Sequence, residues 1–357
     1  PDAKINDHAS SHLPVLLPLV TPRVTPHVPA WAEVVEEDGL RYKQAEGEPG
    51  EGVGVTRASP RVPVASSSLA RSFVDAVLMH AWHARRDMLR NSLDGITNHL
   101  VPGKRRFVAQ LNEGRAASKR PTQYPMDEVI QPVDPEKFNF NKCAQREVLF
   151  RWASANVAST STFTSSSSSS SGPASSAPPA YHASSDHPSE HLVLVNVSPI
   201  EFGHVLLCPN VNRHDPQLVT KENLLEALLL VAGTENRHFR LGFNSMAAYA
   251  SINHMHYQGY YMQEPFPIEL VQGSPLVSSP SVSVQALSDW AAPCLSFTSS
   301  DGSLASLAGT VASVCAHAAE HNIPHNLLIC EEGRRVIFVP NAFSHACARG
   351  SVPEHVL

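Results

Sequence analysis

Apolar residues recur with two different periods along the chain, and the periods separate predicted helices from predicted strands. From Arg71 onward, apolar side chains recur at helical spacing, which predicts an amphipathic helix. Thr220 can cap a second helix that runs to about Ala232, with Gly233 as its stop. A third helix is predicted over residues 304–319.

Shorter apolar runs lie between and after these helices, and they predict β-strands. The predicted strands are residues 107–111, 192–197, 205–208, 239–243 and 253–262, followed by a hairpin of residues 327–330 and 335–339. Residues 147–152 fit either a helix or a strand. Strands therefore dominate the second half of the chain.

Composition separates one regular part of the 357 residues from three segments without sustained periodicity. Residues 1–66 are predicted to be a largely disordered N-terminal segment, and residues 342–357 a short irregular C-terminal tail. Residues 155–189, rich in Ser and Pro, are predicted to be a disordered insertion, because such a tract buries too little apolar area to offset its ordering entropy. The remaining span, residues 67–341, is predicted to be a single folded domain that carries the chemistry.

Charge, hydropathy and cysteine usage exclude several classes of protein. The formal net charge of −6 argues against a dedicated nucleic-acid binder, which normally carries a basic face. The longest aliphatic stretch, residues 224–231, is far shorter than the roughly 20 residues of a membrane helix. The six cysteines include no Cys-x-x-Cys pair, so neither a structural zinc site nor a disulfide framework is indicated. We therefore expect no nucleic-acid partner, no membrane and no metal.

The most informative polar pattern in the chain is His-Met-His-Tyr-Gln, from His254 to Gln258. Successive strand side chains point to opposite faces, so on a strand His254, His256 and Gln258 would share one face. Two imidazoles, whose ordinary pKa is about 6.5, and a carboxamide suit nucleophilic attack on phosphorus and stabilisation of phosphate oxygens. The alternatives are a solvent-facing strand edge and a metal-binding histidine pair, with Cys208 or His204 as a further ligand.

Further blocks around this motif together resemble one family. The blocks are residues 102–104, 107–115, 119–122, 138–142, 196–209, 239–245, 254–258 and 265–269. A Gly203-His204 strand followed by a His-x-His-x-Gln strand resembles the histidine-triad superfamily. Because the last position of the second motif is Gln258, the resemblance is to the transferase branch of that superfamily. The full set, which covers most of residues 70–340, is similar to the GDP-L-galactose phosphorylases of plants and algae.

This resemblance implies a fold and a reaction. The fold would be α+β of the histidine-triad type, an antiparallel sheet with helices packed on one side and the catalytic strand central. His256 would attack the α-phosphorus of GDP-L-galactose to form a guanylyl-histidine, and inorganic phosphate would then release GDP. His254 and His204 would be donors beside the phosphates, and Gln258 would donate its amide to a phosphate oxygen.

The resemblance also implies substrate contacts and a cellular setting. Residues aligned with the motifs as phosphate or ribose contacts are Asn244, Ser245 and Asn253, and block similarity alone adds Lys104, Gln110, Asn112, Arg115 and Lys142. The partners would be a GDP-hexose and inorganic phosphate, without a cofactor. The family implies a cytoplasmic protein, with the nucleus as a further compartment, and relatives are commonly homodimers.

Other functions and structural roles remain open for the same residues. GDP-D-glucose phosphorylase would carry out the same reaction on another hexose. A histidine-triad nucleotide hydrolase is disfavoured by Gln258, and a non-catalytic nucleotide-binding or metal-sensing protein would not need the full polar set. His204 could cap a strand, Asn244 and Ser245 could make a turn, and Asn253 could bond backbone.

Overall fold

An antiparallel sheet of ten strands organises the protein, which is described here from a computed structural model. The structure describes residues 68–94, 96–105, 107–118, 123–153, 190–262 and 265–341, and all of them belong to one compact unit, residues 56–357. The predictions for residues 1–66, 155–189 and 342–357 fall outside the described residues.

Within the described ranges the chain forms four α-helices and twelve strands. The helices are α1 Ser68–His83, α2 Glu113–Ser118, α3 Lys221–Thr234 and α4 Leu304–Glu320. The strands are β1 Thr97–Leu100, β2 Val108–Leu111, β3 Val148–Ala153, β4 Glu190–Val195, β5 Val205–Cys208, β6 Phe239–Asn244, β7 Tyr257–Tyr261, β8 Ser274–Ser278, β9 Val282–Leu287, β10 Cys294–Ser299, β11 His325–Cys330 and β12 Arg335–Pro340. The order in the large sheet is β3-β4-β5-β7-β6-β11-β12-β10-β9-β8, and β1 and β2 form a separate hairpin.

The predicted strands are present, but the most important one is shorter than predicted. Residues 147–152, which fitted a helix or a strand, contribute to strand β3. The strand predicted over residues 253–262 begins only at Tyr257, so His254 and His256 precede β7 and the predicted alternation of the two histidines on a strand is wrong. The physical reason is that the side chain of Gln217 takes the hydrogen bonds that a neighbouring strand would make to His256.

The three long helices α1, α3 and α4 pack on one face of the sheet, which confirms the predicted antiparallel α+β arrangement. Their inward side chains, such as Trp82, Leu228 and Leu307, share one apolar core with alternate strand residues. Helix α3 passes through Gly233, which was predicted to stop it. Glu235 ends the helix instead, in the left-handed conformation at φ 48°. None of the helices in the described ranges combines the length and the apolarity that crossing a bilayer requires.

The ten-stranded sheet consists of two copies of one topology. In the first copy the strand order is β3-β4-β5-β7-β6, and α3 connects β5 to β6. In the second copy the order is β8-β9-β10-β12-β11, and α4 connects β10 to β11. The copies meet where β6 pairs with β11, so an approximate twofold axis passes near the paired residues Gly242 and Leu328.

The strand register shows which residues of the two copies correspond. Gln258 pairs with Gly242, and Ile337 pairs with Leu328, so Gln258 and Ile337 occupy equivalent positions. By the same register, His204, His254 and His256 correspond in order to Cys294, Gly333 and Arg335. In the second copy, Ile337 belongs to an apolar cluster. The polar motif is therefore confined to the first copy.

Candidate active site

A cavity lies at the first copy, beside the start of β7. Its polar lining includes Arg90, Arg115, Glu147, Asn196, Asn244, His256 and Gln258, and Phe138 and Phe140 supply aromatic walls. Four of the side chains singled out from the sequence, those of His256, Gln258, Asn244 and Arg115, thus come together here. The other predicted side chains lie outside this lining.

The imidazole of His256 reaches the cavity in a defined tautomer. Its Nδ1 lies 2.8 Å from the carbonyl oxygen of His254, and because a carbonyl only accepts, Nδ1 carries the proton. Nε2 is then an unprotonated nitrogen. Burial lowers the pKa of His256 to about 4, so the ring is neutral at neutral pH. A neutral imidazole with an available lone pair can act as a nucleophile.

The side chain of His254 is buried outside the cavity lining. Its Nδ1 accepts a hydrogen bond from the backbone N–H of Phe140 at 3.0 Å, so its proton is on Nε2. Burial, with smaller contributions from His214 and His256, lowers the pKa of His254 to about 3. The group of His254 that acts on the site is its backbone carbonyl, which orients the ring of His256.

His204 is fully buried and orients the carboxamide of Gln258. The N–H of Ile200 donates to Nδ1 of His204 at 2.9 Å, which places the proton on Nε2. This Nε2 lies 3.2 Å from Oε1 of Gln258 and 3.1 Å from Nδ2 of Asn196, so the Gln258 oxygen is the acceptor. Burial and then the charge of Arg115 lower the pKa of His204 to about 3. The NH2 group of Gln258 is left as a donor at the cavity.

Gly203 is required immediately before His204 for two reasons. Its φ is +69°, and a Cβ at this position would overlap the ring of Tyr261. The Tyr261 hydroxyl is itself fixed by donation to Asp75 of α1 at 2.6 Å. From the same helix, Nε1 of Trp82 donates to the carbonyl of His204 at 3.1 Å. The glycine and helix α1 together set the position of the His204 backbone.

Two asparagines at the cavity also have their side-chain oxygens engaged. Oδ1 of Asn244 accepts from Nδ2 of Asn326 at 3.0 Å, and Oδ1 of Asn326 in turn lies 3.3 Å from Nδ2 of Asn341. Oδ1 of Asn196 accepts from the N–H of Ser198 at 3.0 Å. Asn244 therefore directs its NH2 group away from this contact, as Gln258 does, whereas Nδ2 of Asn196 lies 3.1 Å from Nε2 of His204. Asn326 was not anticipated, because only the pairing of β6 with β11 brings it to the site.

Two arginines add positive charge to the cavity. Arg115 donates from Nε to the carbonyl of Ser198 at 3.2 Å, and burial lowers its pKa below the ordinary range of a guanidinium. Asn112 supports it, because its Oδ1 accepts the N–H of Arg115 at 3.0 Å while its Nδ2 donates to the carbonyl of Pro199 at 3.3 Å. Arg90 was missed by sequence reasoning, since it belongs to none of the motif blocks.

Ser245 and Asn253, which the resemblance implied as phosphate or ribose contacts, make backbone hydrogen bonds in the structure. Oγ of Ser245 accepts from the N–H of His325 at 3.0 Å. Oδ1 of Asn253 accepts from the N–H of Gln217 at 2.9 Å, and its Nδ2 donates to the carbonyls of residues 131 and 132 at 3.0 Å. Both side chains are buried away from the cavity lining.

Three other predicted contact residues lie at the protein surface. Lys104 forms an ion pair with Asp289 at 2.8 Å, and its side chain is 77% exposed. Nε2 of Gln110 lies 3.5 Å from a carboxylate oxygen of Glu201. The ammonium group of Lys142 donates to three consecutive backbone carbonyls, where it stabilises a turn. The structure does not bring these three side chains to the cavity lining.

A group of potential metal ligands occurs elsewhere in the described part of the chain. At the exposed C-terminal end of α4, His317, Glu320 and His321 offer ligand atoms within 4.8 Å of one another. His317 and His321 lie four residues apart in the sequence, and Glu320 adds a third potential ligand beside them. The histidines at the cavity form no such group among the described residues.

Comparison with known proteins places these features in context. A family model described as GDPGP1-like, N-terminal domain, matches residues 73–260, and one described as GDPGP1-like, C-terminal domain, matches residues 267–357. GDP-L-galactose phosphorylase 1 of Arabidopsis thaliana is 35% identical over 289 residues, which are 80% of this chain and 62% of the relative. GDP-D-glucose phosphorylase 1 of Homo sapiens is 34% identical over 288 residues, 78% of this chain and 66% of the relative. The chain thus spans somewhat less than two thirds of the length of these curated relatives.

Among solved structures, yeast Ap4A phosphorylase Apa2 in complex with Ap4A is similar, with a TM-score of 0.45 and 12% identity over 75% of this chain and 81% of that chain. The family models carry the assignment, because the first alone covers more than half of the sequence and includes the whole histidine motif. The chain belongs to the GDPGP1-like family.

Proposed function

We propose that this chain is a GDP-hexose phosphorylase that transfers a guanylyl group through His256. The observation that carries the proposal is the neutral imidazole of His256, whose Nδ1–H is held by the carbonyl of His254 while Nε2 is available at a cavity rich in hydrogen-bond donors. The names of the curated relatives, GDP-L-galactose phosphorylase and GDP-D-glucose phosphorylase, supply the substrate class.

In the first half-reaction, Nε2 of His256 attacks the α-phosphorus of the GDP-hexose. The new N–P bond forms as the bond from the α-phosphorus to the bridging oxygen breaks, and the hexose 1-phosphate leaves with that bonding pair. The guanylylated ring keeps its Nδ1 proton and becomes cationic. The carbonyl of His254 already accepts this proton at 2.8 Å and stabilises the positive charge.

In the second half-reaction, an oxygen of inorganic phosphate attacks the same phosphorus, the N–P bond breaks, and GDP is released with His256 neutral again. Both steps develop negative charge on phosphate oxygens. The NH2 groups of Gln258 and Asn244, together with the guanidinium groups of Arg90 and Arg115, are the donors that stabilise this charge. Because these donors are held by other residues before substrate binds, they need little reorganisation during the reaction.

The apolar wall of the cavity suits a purine base. Phe138 and Phe140 lie edge to face at 5.9 Å, and the ring of Phe140 is 5.1 Å from that of His256. These two aromatic side chains are the ones that we propose to contact the guanine base.

The preferred hexose is the second question, and the comparisons favour two candidates nearly equally. The relatives named for GDP-L-galactose and for GDP-D-glucose are 35% and 34% identical to this chain. The ratio of kcat/KM on GDP-L-galactose to kcat/KM on GDP-D-glucose decides between them. We place GDP-L-galactose first because the motif blocks resemble the plant and algal enzymes.

Intact-mass analysis after incubation with GDP-L-galactose in the absence of phosphate tests the function. We expect a covalent adduct of about 345 Da, the mass of one guanylyl group, which disappears when phosphate is added. His256→Ala should give no adduct. His321 is an exposed histidine immediately after α4, and His321→Ala is the matched control, which should be labelled like the wild type. Substrate binding by the wild type without an adduct, or equal labelling of His256→Ala, would refute the proposal.

We also propose, from the family resemblance alone, that the protein acts in the cytoplasm, with the nucleus as a further compartment, and that it is a homodimer. Microscopy of the tagged chain tests the compartment, and light scattering tests the oligomeric state. Signal confined to an organelle other than the nucleus would contradict the first expectation, and a monomeric mass the second.

A further inference from the structure

The side chain of Gln217 lies where strands β6 and β7 stop pairing. Their register pairs Gly242 with Gln258, and two residues further it would place Asn244 opposite His256. That backbone pair does not form, because β7 begins one residue after His256. The carboxamide of Gln217 bonds to both backbone segments instead.

Three hydrogen bonds replace the missing strand partner of His256. Oε1 of Gln217 accepts from the backbone N–H of His256 at 2.8 Å. Its Nε2 donates to the carbonyls of His256 at 2.9 Å and Asn244 at 3.0 Å. The side chain is almost fully buried, and the backbone N–H of Gln217 donates to Oδ1 of Asn253 at 2.9 Å. One buried carboxamide therefore ties the nucleophile to a phosphate donor and to the core.

We propose that Gln217 is a positioning residue for the reaction, which sets where the His256 imidazole stands in the cavity. The inference rests on the proposed role of His256 as nucleophile. A continued strand pairing would fix His256 in the pleat of the sheet, whereas the inserted carboxamide holds its backbone out of the strand. From there Nδ1 of His256 meets the carbonyl of His254, and that contact fixes the tautomer.

Only a carboxamide satisfies the polar groups around this position. It accepts from one N–H and donates to two carbonyls at once, which neither a carboxylate nor an apolar side chain can do. A glutamate at position 217 would direct a carboxylate oxygen at the two carbonyls, and burial would raise its pKa. Once protonated, the glutamic acid again offers one acceptor and one donor. The ability of Glu at position 217 to hold His256 should therefore depend on pH.

The experiment compares the guanylylation rate constant and KM of the wild type, Gln217→Glu and Gln217→Met across the range from about pH 8.5 to about pH 6. At the alkaline end we expect the rate constant of Gln217→Glu to fall about 100-fold, because a displacement of the His256 imidazole by about 1 Å costs that much. We expect KM to change less than about threefold. As the pH falls, the ratio of its rate to that of the wild type should rise. Gln217→Met should lose the rate without recovery.

A matched control separates positioning from general loss of stability. Gln131 is another buried glutamine whose Nε2 donates to two backbone carbonyls, those of Pro125 and Glu128. Gln131→Glu should be destabilised without a pH-dependent rate constant. If Gln131→Glu shows the same pH-dependent recovery, or if Gln217→Glu is as fast as the wild type at all pH values, the positioning role is overturned.

A second readout does not require turnover. Hydrogen exchange at the backbone N–H of His256 should be slow in the wild type and at least about tenfold faster in Gln217→Met, because this N–H loses its acceptor. Unchanged exchange would overturn the inference even if rates fall. If the wild type forms no guanylyl adduct, the proposed function fails while this measurement still decides whether Gln217 holds His256.

Discussion

Oε1 of Gln258 lies 3.2 Å from Nε2 of His204, and the proton on that nitrogen makes the Gln258 oxygen the acceptor. His204 thus acts on the cavity through Gln258 and does not line it. An amide oriented in this way presents two N–H donors and no lone pair to a substrate. The geometry selects for an anionic group in front of Gln258.

Replacing Gln258 by glutamate should keep the contact to His204 and reverse the charge facing the substrate. The second carboxylate oxygen would repel the phosphate oxygens, so we expect kcat/KM to fall by about 100-fold or more. Steady-state kinetics on the GDP-hexose check this. Gln285→Glu, an isosteric change on β9 of the second copy, should leave kcat/KM unchanged. An equal loss in both variants would contradict the assignment.

Asn326 should act on the reaction through Asn244, although its Nδ2 also donates to the carbonyl of Ala248 at 3.2 Å. Because Nδ2 of Asn326 donates to Oδ1 of Asn244, its removal frees the Asn244 carboxamide to rotate. We expect Asn326→Ala and Asn244→Ala each to lower kcat/KM by about tenfold, and the double variant to be no worse than about threefold below either single variant. A double-mutant cycle measures this coupling. Fully multiplicative losses would show that the two residues act independently.

Gly203→Ala should destabilise the fold and weaken the site together. The left-handed backbone costs about 1–2 kcal/mol for an L side chain, and overlap with the Tyr261 ring adds to that cost. Urea unfolding measures the free energy. Gly309→Ala within α4 is the control, since its Cβ would meet only Lys221 at 3.7 Å and alanine favours a helix by about 0.5–1 kcal/mol. Similar stability of the two variants would contradict this account.

Acid should destabilise the protein earlier than carboxylate protonation alone predicts. Burial lowers the folded-state pKa of His204 and His254 to about 3 and that of His256 to about 4, whereas imidazoles of an unfolded chain titrate near about 6.5. Between these values the unfolded chain binds more protons than the folded one. The free energy of unfolding should therefore fall below about pH 6.5, with a limiting slope of roughly 4 kcal/mol per pH unit for three imidazoles. Urea unfolding from about pH 8 to about pH 5 measures this slope, and constant stability would contradict it.

Arg115→Gln should weaken substrate binding, while Lys104→Gln should not. Arg115 lines the cavity beside Gln258, so losing its charge should raise KM for the GDP-hexose by about tenfold or more. The ammonium group of Lys104 forms an exposed ion pair with Asp289, and such a pair contributes little to stability in water. Steady-state kinetics of both variants check the contrast. A larger increase in KM for Lys104→Gln than for Arg115→Gln would indicate that Lys104 contacts the substrate.

Local patterns in the sequence were sufficient for much of the fold. Helical spacing located α1, α3 and α4, and short apolar runs located most strands of the first copy, because each depends on burial of one face by nearby residues. The strands β8 to β10 were not predicted, because the sequence there is rich in Ser and Pro, although Val282, Val284 and Ala286 of β9 do alternate with polar residues. Strand β10 pairs with β12, β9 pairs with β10 and β8 with β9, so the place of all three in the sheet depends on the long-range pairing of β10 with β12.

The candidate site was harder to predict than the fold for a related reason. The motif located His256 and Gln258 because their spacing is local. Asn326, Arg90 and Gln217 carry no local signal and act only through contacts between distant segments. Conversely, Lys142 belongs to a motif block, yet its ammonium group closes a turn.

The absence of the polar motif from the second copy predicts the stoichiometry of covalent labelling. At the position equivalent to His256, Arg335 donates to Oγ of Ser296 and to the carbonyl of Glu269, both at 2.8 Å. The side chain of Arg335 is therefore held by hydrogen bonds within the protein. Labelling should saturate at one guanylyl group per chain. The second copy still supplies Asn326, which holds Asn244 of the first, so the one cavity is built from residues of both copies, and separating the copies should disrupt it.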